Sequence, residues 1–135
     1  MSRQARCQCG GFTATVAAEP AIVVMCHCTW CQRRSGVPLT VNAYFKEGDV
    51  KLAGDFRTFD RQAPEGRQLH NYFCPMCGTT LGWRADLRPG LFGIAAGCFT
   101  DKSLPVATVS IWEDEMHAWV NLPEGMQHFP RARPG

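Results

Sequence analysis

Phe73-Cys74-Pro75-Met76-Cys77-Gly78 has the form of a metal knuckle: two thiols with two residues between them, and a glycine directly after the second. Gly78 leaves room for backbone N–H groups to turn toward sulfur, and such hydrogen bonds stabilise a thiolate and tune a bound metal. One knuckle supplies half of a tetrahedral site, so the other half is sought elsewhere in the chain. Two further clusters offer it, Cys7-Gln8-Cys9-Gly10 and Cys26-His27-Cys28-Thr29-Trp30-Cys31. Together the three clusters hold seven of the eight cysteines. Seven ligands divide into a closed set of four and an open set of three. A closed tetrahedral zinc site is structural, and a three-ligand site keeps a position for water or substrate.

Spacing alone leaves the partition open. Cys28 and Cys31 can join Cys74 and Cys77 as in a zinc ribbon, or Cys7 and Cys9 can join them and leave Cys26, Cys28 and Cys31 together. Reach favours the second: three thiols within six residues can wrap one ion unaided, whereas Cys7 and Cys9 need a distant pair. That pair then staples the N-terminal region to the middle of the chain.

The 135 residues suit one domain spanning 1–135, with a core over about 5–130, able to bury roughly two-thirds of the surface its unfolded chain exposes. The N-terminus has no apolar signal core, and no run of about 18 apolar residues exists to cross a membrane. The expected compartment is the cytoplasm, where thiols stay reduced and clustered cysteines are metal ligands rather than disulfides. Seven ionised thiols and two Zn²⁺ ions would move the formal charge from +2 to −1. The densest basic cluster is Arg33-Arg34, so neither nucleic acid nor a membrane is an expected partner.

Outward from the clusters, short apolar or alternating runs predict strands over 12–16, 21–25, 39–45, 50–52, 56–59, 68–73, 80–83, 91–96 and 106–111. Turn signals separate them: Glu19-Pro20, Glu47-Gly48-Asp49, Ala53-Gly54-Asp55, Pro64-Glu65-Gly66 and Arg88-Pro89-Gly90. One short helical turn is expected over 29–35, stopped by Gly36. The fold class is therefore mainly β. Cys7 and Cys9 precede the first predicted strand, Cys26 closes a strand, and the tail from Arg131 to Gly135 is expected to fray.

In combination, Cys7-x-Cys9-Gly10, Cys26-His27-Cys28-x-x-Cys31-x-x-x-x-Gly36 and Phe73-Cys74-x-x-Cys77-Gly78-Thr79-x-Leu81 resemble the glutathione-dependent formaldehyde-activating enzyme family. Ala96-Gly97 followed by Asp101, and Trp119 with Pro123, Phe129 and Pro130 after it, extend the resemblance over roughly 5–130. It implies a zinc-anchored β-tent of short antiparallel sheets and two zinc ions per chain. It also implies structural zinc ligands at Cys7, Cys9, Cys74 and Cys77 and catalytic zinc ligands at Cys26, Cys28 and Cys31. The implied reaction is that of a carbon–sulfur lyase run in reverse, adding glutathione to formaldehyde to give S-hydroxymethylglutathione. The implied partners are thus a small thiol and an aldehyde. The chain departs from the family at Cys98, where Thr followed by Leu-Asp is more usual; the departure does not touch the ligands.

The residue types suit that chemistry. A site of three thiolates accepts a sulfur ligand, and a coordinating thiol loses its proton. Arg33 and Arg34 follow the trio within one turn, and guanidinium matches carboxylate in a bidentate fork. Trp30 lies inside the metal loop and is the tryptophan expected to line a pocket, while Trp83, Trp112 and Trp119 are core candidates. His27, between two ligands, is expected to hydrogen-bond rather than ligate; His70 is expected to be half-buried across a strand pair, and Cys98 to be a small buried apolar residue. Thiols add to formaldehyde without help, so a thiol carrier or sensor, or a module with two structural zincs, competes with the enzyme reading.

Overall fold

The computed structural model describes residues 2–62 and 68–134; the predicted turn Pro64-Glu65-Gly66 lies outside the described residues. The described elements are β1 (Arg3–Arg6), β2 (Phe12–Val16), β3 (Ile22–Cys26), α1 (Thr29–Ser35), β4 (Thr40–Lys46), β5 (Val50–Gly54), β6 (Arg57–Gln62), β7 (Gln68–Phe73), β8 (Thr80–Ala85), β9 (Leu91–Ala95), β10 (Val109–Ile111) and β11 (Gln127–His128), with short 3₁₀ turns between some of them. The fold is mainly β, as expected. No described helix is long and apolar enough to cross a membrane.

The strands form two open sheets, one of three strands in the order β1-β2-β5 and one of eight in the order β11-β10-β3-β4-β9-β8-β7-β6. Most neighbours are antiparallel, but β10 runs parallel to both β3 and β11. The core lies between the sheets. Phe12, Ala14 and Val16 turn one face of β2 inward, where they meet Ala43 and Phe45 of β4, Leu81 of β8, and Phe92 and Ile94 of β9. This is the period-two pattern that marked 12–16 as a strand. Each fully buried Phe, Leu or Ile stabilises the fold by about 1.5–3 kcal/mol.

Two details position the sites. In α1 the Sγ of Cys28 caps the helix by accepting from the Cys31 N–H, and Gly36 ends it in the left-handed conformation. Where β8 meets β9, Trp83 stands opposite Gly93, and a Cβ on Gly93 would lie 2.3 Å from the indole Nε1. Glycine is required there so that the ring can lie across β9.

Three expectations are corrected. Arg3–Arg6 is a strand ahead of Cys7 and Cys9, carried by the buried Arg3 pairing with Glu19 and Asp101. Trp119 is exposed rather than in the core, and Trp112 is half-buried. The tail is tied down at its start: the Trp112 N–H donates to the Arg131 carbonyl, and Arg88 donates to the Arg133 carbonyl.

Candidate metal centres and the cleft between them

The turn from β1 to β2 carries Cys7 and Cys9, and the knuckle between β7 and β8 carries Cys74 and Cys77. Their four sulfurs lie within 4.8 Å of one another. Cys9 Sγ is 3.6 Å from both Cys7 Sγ and Cys74 Sγ. The edge of a zinc–sulfur tetrahedron is about 3.8 Å for bonds of about 2.3 Å, so the quartet fits a tetrahedral ion. All eight cysteines are free, and 3.6 Å is far beyond a disulfide bond of about 2 Å. The quartet joins the three-stranded sheet to the eight-stranded one.

Backbone donors surround the quartet. Phe12 N–H donates to Cys7 Sγ at 3.2 Å and Gly11 N–H to Cys9 Sγ at 3.4 Å. Gly78, at φ 79°, takes the left-handed conformation that closes the knuckle. The Thr79 hydroxyl accepts from the Gln8 N–H and lies 3.3 Å from Cys77 Sγ, leaving its own proton for sulfur. That hydroxyl, with the Thr79 backbone N–H, pulls the Cys77 thiol down to about 5. These contacts suit thiolates, the form that a metal requires.

Cys26 at the end of β3, Cys28 at the helix cap and Cys31 in α1 form the second cluster, with sulfurs again within 4.8 Å of one another and all three side chains buried. Among the described residues no histidine, carboxylate or fourth cysteine joins this set. Hydrogen bonds from Cys26 and Cys28 hold the Cys31 thiol far down, and Arg34 adds to the effect. The same bonds, with burial, push Cys26 up. The shifts favour a thiolate at Cys31, the form that a metal requires. Cys98 belongs to neither cluster; it is half-buried, packs against the main core, and is pushed up by burial.

One wall of the trio is tied by packing and hydrogen bonds. Ile111 and Trp112 pack against it, and Trp112 holds φ 59°, uncommon for a residue other than glycine. Glu115 Oε1 accepts from the Thr29 N–H at 2.6 Å, Gln32 donates to the carbonyls of His27 and Glu115, and His117 donates to Gln32 Oε1. His27 is fully buried and points to Ser110, with Nε2 to Oγ at 2.9 Å. His27 thus hydrogen-bonds rather than ligates, as expected. His70 sits half-buried between strands, 2.9 Å from Asp60 and 3.0 Å from Asp86.

Two cavities meet at Arg34 and Thr80. The larger, about 430 Å³, extends from Cys77, Thr79 and Gly97 to Thr40 and Asn42. Thr40 pairs with Cys26 across β3 and β4. The smaller, about 270 Å³, has Cys31 in its wall together with Trp30, Arg33, Arg34, Arg61 and Asn71. Arg34 is held in place by stacking on Trp83, its guanidinium carbon 3.9 Å from the ring centroid. Trp30, Arg33 and Arg34 line the cavity that adjoins the trio. Arg61, Asn71, Thr40 and Asn42 were not anticipated. Phe59 and Arg61 share a face of β6 by alternation, and that was the one signal available in sequence.

The family model for glutathione-dependent formaldehyde-activating enzyme matches residues 2–121. No curated protein matches the chain. Among solved structures, a crystal structure of a Rhodobacter sphaeroides protein is similar, with TM-score 0.58 and 16% identity over 74% of this chain and 90% of that one. At that identity the likeness concerns the fold alone.

Proposed function

Since the chain belongs to the glutathione-dependent formaldehyde-activating enzyme family, we propose that it adds a glutathione-like thiol to formaldehyde or a related carbonyl, and catalyses the reverse carbon–sulfur lyase reaction. The observation that carries this reading is the buried trio of Cys26, Cys28 and Cys31, unaccompanied among the described residues by a fourth ligand, in the wall of an arginine-lined cavity. The quartet of Cys7, Cys9, Cys74 and Cys77 holds a structural zinc, and the trio holds a second, catalytic zinc. Such an ion would supply a position at which a thiol sulfur ionises.

The chain's own residues supply orientation. Arg33 and Arg34 receive carboxylate from the thiol substrate, and Trp30 forms a flat apolar wall beside them. The wall of Trp112, Glu115 and Gln32 holds the helix that carries Cys31. In the addition, sulfur bonds to the carbonyl carbon, the carbonyl π bond breaks, and the proton lost by the thiol ends on the new hydroxyl. Much of the gain is proximity, because both reactants share one small cleft. The protein works as a single domain in the reducing cytoplasm, which suits eight free cysteines.

Metal analysis of the wild-type protein beside a Cys26→Ser/Cys28→Ser/Cys31→Ser variant tests the assignment. Two zinc ions should fall to one with an unchanged circular dichroism spectrum, and the rate at which S-hydroxymethylglutathione forms, followed by NMR exchange, should fall to the uncatalysed value. Two ions but no rate difference would leave a structural module or thiol carrier.

A further inference from the structure

We propose that the smaller cavity is a subsite for an α-amino-acid unit of the thiol substrate, a carboxylate with an N–H donor one carbon away, and that Arg61 and Asn71 determine this specificity. The inference rests on the reading of the trio as the reaction centre. Three guanidiniums line the cavity, two from α1 and Arg61 from the opposite strand β6. Arg33 and Arg61 lie over the same indole, each with its guanidinium carbon 5.4 Å from the centroid of Trp30. Among the described residues no carboxylate pairs with Arg33, Arg34 or Arg61, although Arg3 has two such partners and Arg84 and Arg131 one each. Like charges gathered on one ring without a counter-ion favour an incoming anion.

The wall also holds unused hydrogen-bonding capacity of both signs. Arg61 Nη1 is buried with no partner, and so is Asn71 Oδ1, on a side chain only 5% exposed. Asn71 Nδ2 donates to the Phe59 carbonyl, which fixes the amide so that its oxygen is the free atom. Buried polar atoms are paired in the great majority of cases, so two orphans in one cavity wall call for a ligand. A carboxylate meets the guanidiniums in a fork, and an ammonium or amide N–H meets Asn71 Oδ1. At about 270 Å³ the cavity is small for a whole ligand, since ligand sites usually span about 300–1,000 Å³. It therefore takes one end of a peptide thiol, and the larger cavity beyond Arg34 accepts the remainder. Either end of glutathione, the γ-glutamyl group or the C-terminal glycine, carries the required chemistry.

The test is calorimetric titration of the zinc-loaded protein with S-methylglutathione, whose blocked sulfur separates this subsite from the metal. Binding should be at least about 10-fold tighter than for its diethyl ester. Arg61→Ala should weaken it by about 10–100-fold, the span expected for a lost charge-assisted contact, and should leave ester binding unchanged. Arg61→Lys should recover part of the loss, because it keeps the charge without the fork. S-methyl-cysteinylglycine and γ-glutamyl-S-methylcysteine then show which end is held. The triple-serine trio variant should retain S-methylglutathione binding, so retained activity there with retained binding would defeat the metal reading of the site and leave the subsite standing. Equal affinity for acid and ester in the wild type would overturn the proposal even if Arg61→Ala failed to fold, as would wild-type affinity in a folded Arg61→Ala.

Discussion

Cys9 Sγ stands 3.6 Å from Cys74 Sγ, although 65 residues separate them in the chain. Beside this pair the Gln8 N–H donates to the Thr79 side chain and the Cys9 backbone N–H reaches the Cys77 sulfur, and no strand pairing among the described residues joins the turn to the knuckle. The quartet is thus the tie between the two sheets at this corner. Structural zinc contributes about 10–16 kcal/mol of apparent folding free energy, as much as the whole stability of a typical domain, about 5–15 kcal/mol. Cys74→Ser should therefore abolish cooperative thermal unfolding, or lower its midpoint by more than about 15 °C, in a calorimetric scan. Cys28→Ser should keep a cooperative transition, because serine is itself a good helix cap in place of the Cys28 thiol. A Cys28→Ser protein as unfolded as Cys74→Ser would mean that both clusters are structural.

Ser110 predicts a different kind of loss. Its hydroxyl is fully buried and is the one partner of His27 Nε2 among the described residues. Ser110→Ala deletes little volume but leaves the buried imidazole of His27 without its hydrogen-bond partner, next in sequence to Cys26 and Cys28. The expected cost is about 1–3 kcal/mol, measured by urea unfolding of the zinc-loaded protein. The m value should not change, since the native surface is the same. A cost near zero would mean that water replaces the hydroxyl.

The cysteine spacing made the two clusters legible, and the alternation at Phe12, Ala14 and Val16 marked a core strand with its observed bounds. Gly36 likewise marked the end of α1. β1 was not legible because Arg-Gln-Ala-Arg has one apolar residue; its inward face is completed by Arg3, whose burial depends on Glu19 and Asp101 far along the chain. β11 is two residues long and exists through pairing with β10. Trp119 looked like core because it is large and aromatic, yet the described fold leaves it exposed. Arg61 and Asn71 come together through the register of β6 on β7, where Phe59 faces Asn71 and Arg61 faces Leu69. Local sequence carries no record of which strand of a sheet lies beside a helix, so alternation could put Phe59 and Arg61 on one face but not beside α1.

Gly93 tests the link between packing and the cleft. A methyl group there would collide with Trp83, which donates to the Tyr44 hydroxyl at 3.2 Å and supports the Arg34 guanidinium on its face. Gly93→Ala forces the ring to shift, at a cost of about 1–3 kcal/mol for overpacking. Because Arg34 lines both cavities, KM for the thiol should rise by more than kcat falls. Tryptophan fluorescence checks the ring movement directly. A stability loss with unchanged KM would separate Arg34 from substrate binding.

His70 gives the pH prediction. Hydrogen bonds donated to Asp60 and Asp86 raise its pKa above the usual 6.5, with burial opposing them more weakly. The hydrogen bond to His70, followed by that from the Gln68 N–H, lowers Asp86 below its usual 3.8. A raised histidine stabilises the fold fully below the unfolded value, and that contribution disappears as pH climbs through the folded value. The lowered Asp86 does the reverse, losing its contribution as pH falls through its own folded value. The bridge across β6, β7 and β8 is therefore strongest between the two, and His70→Gln should close most of its stability gap to wild type as pH rises past the folded histidine value. The site is surface-lying, so the gap should also shrink with salt. NMR titration of the imidazole checks the cause: Asp60→Asn should lower the His70 pKa, and so should Asp86→Asn, with the double variant returning it toward 6.5. An unchanged His70 titration in both single variants would show that neither carboxylate holds the proton in place.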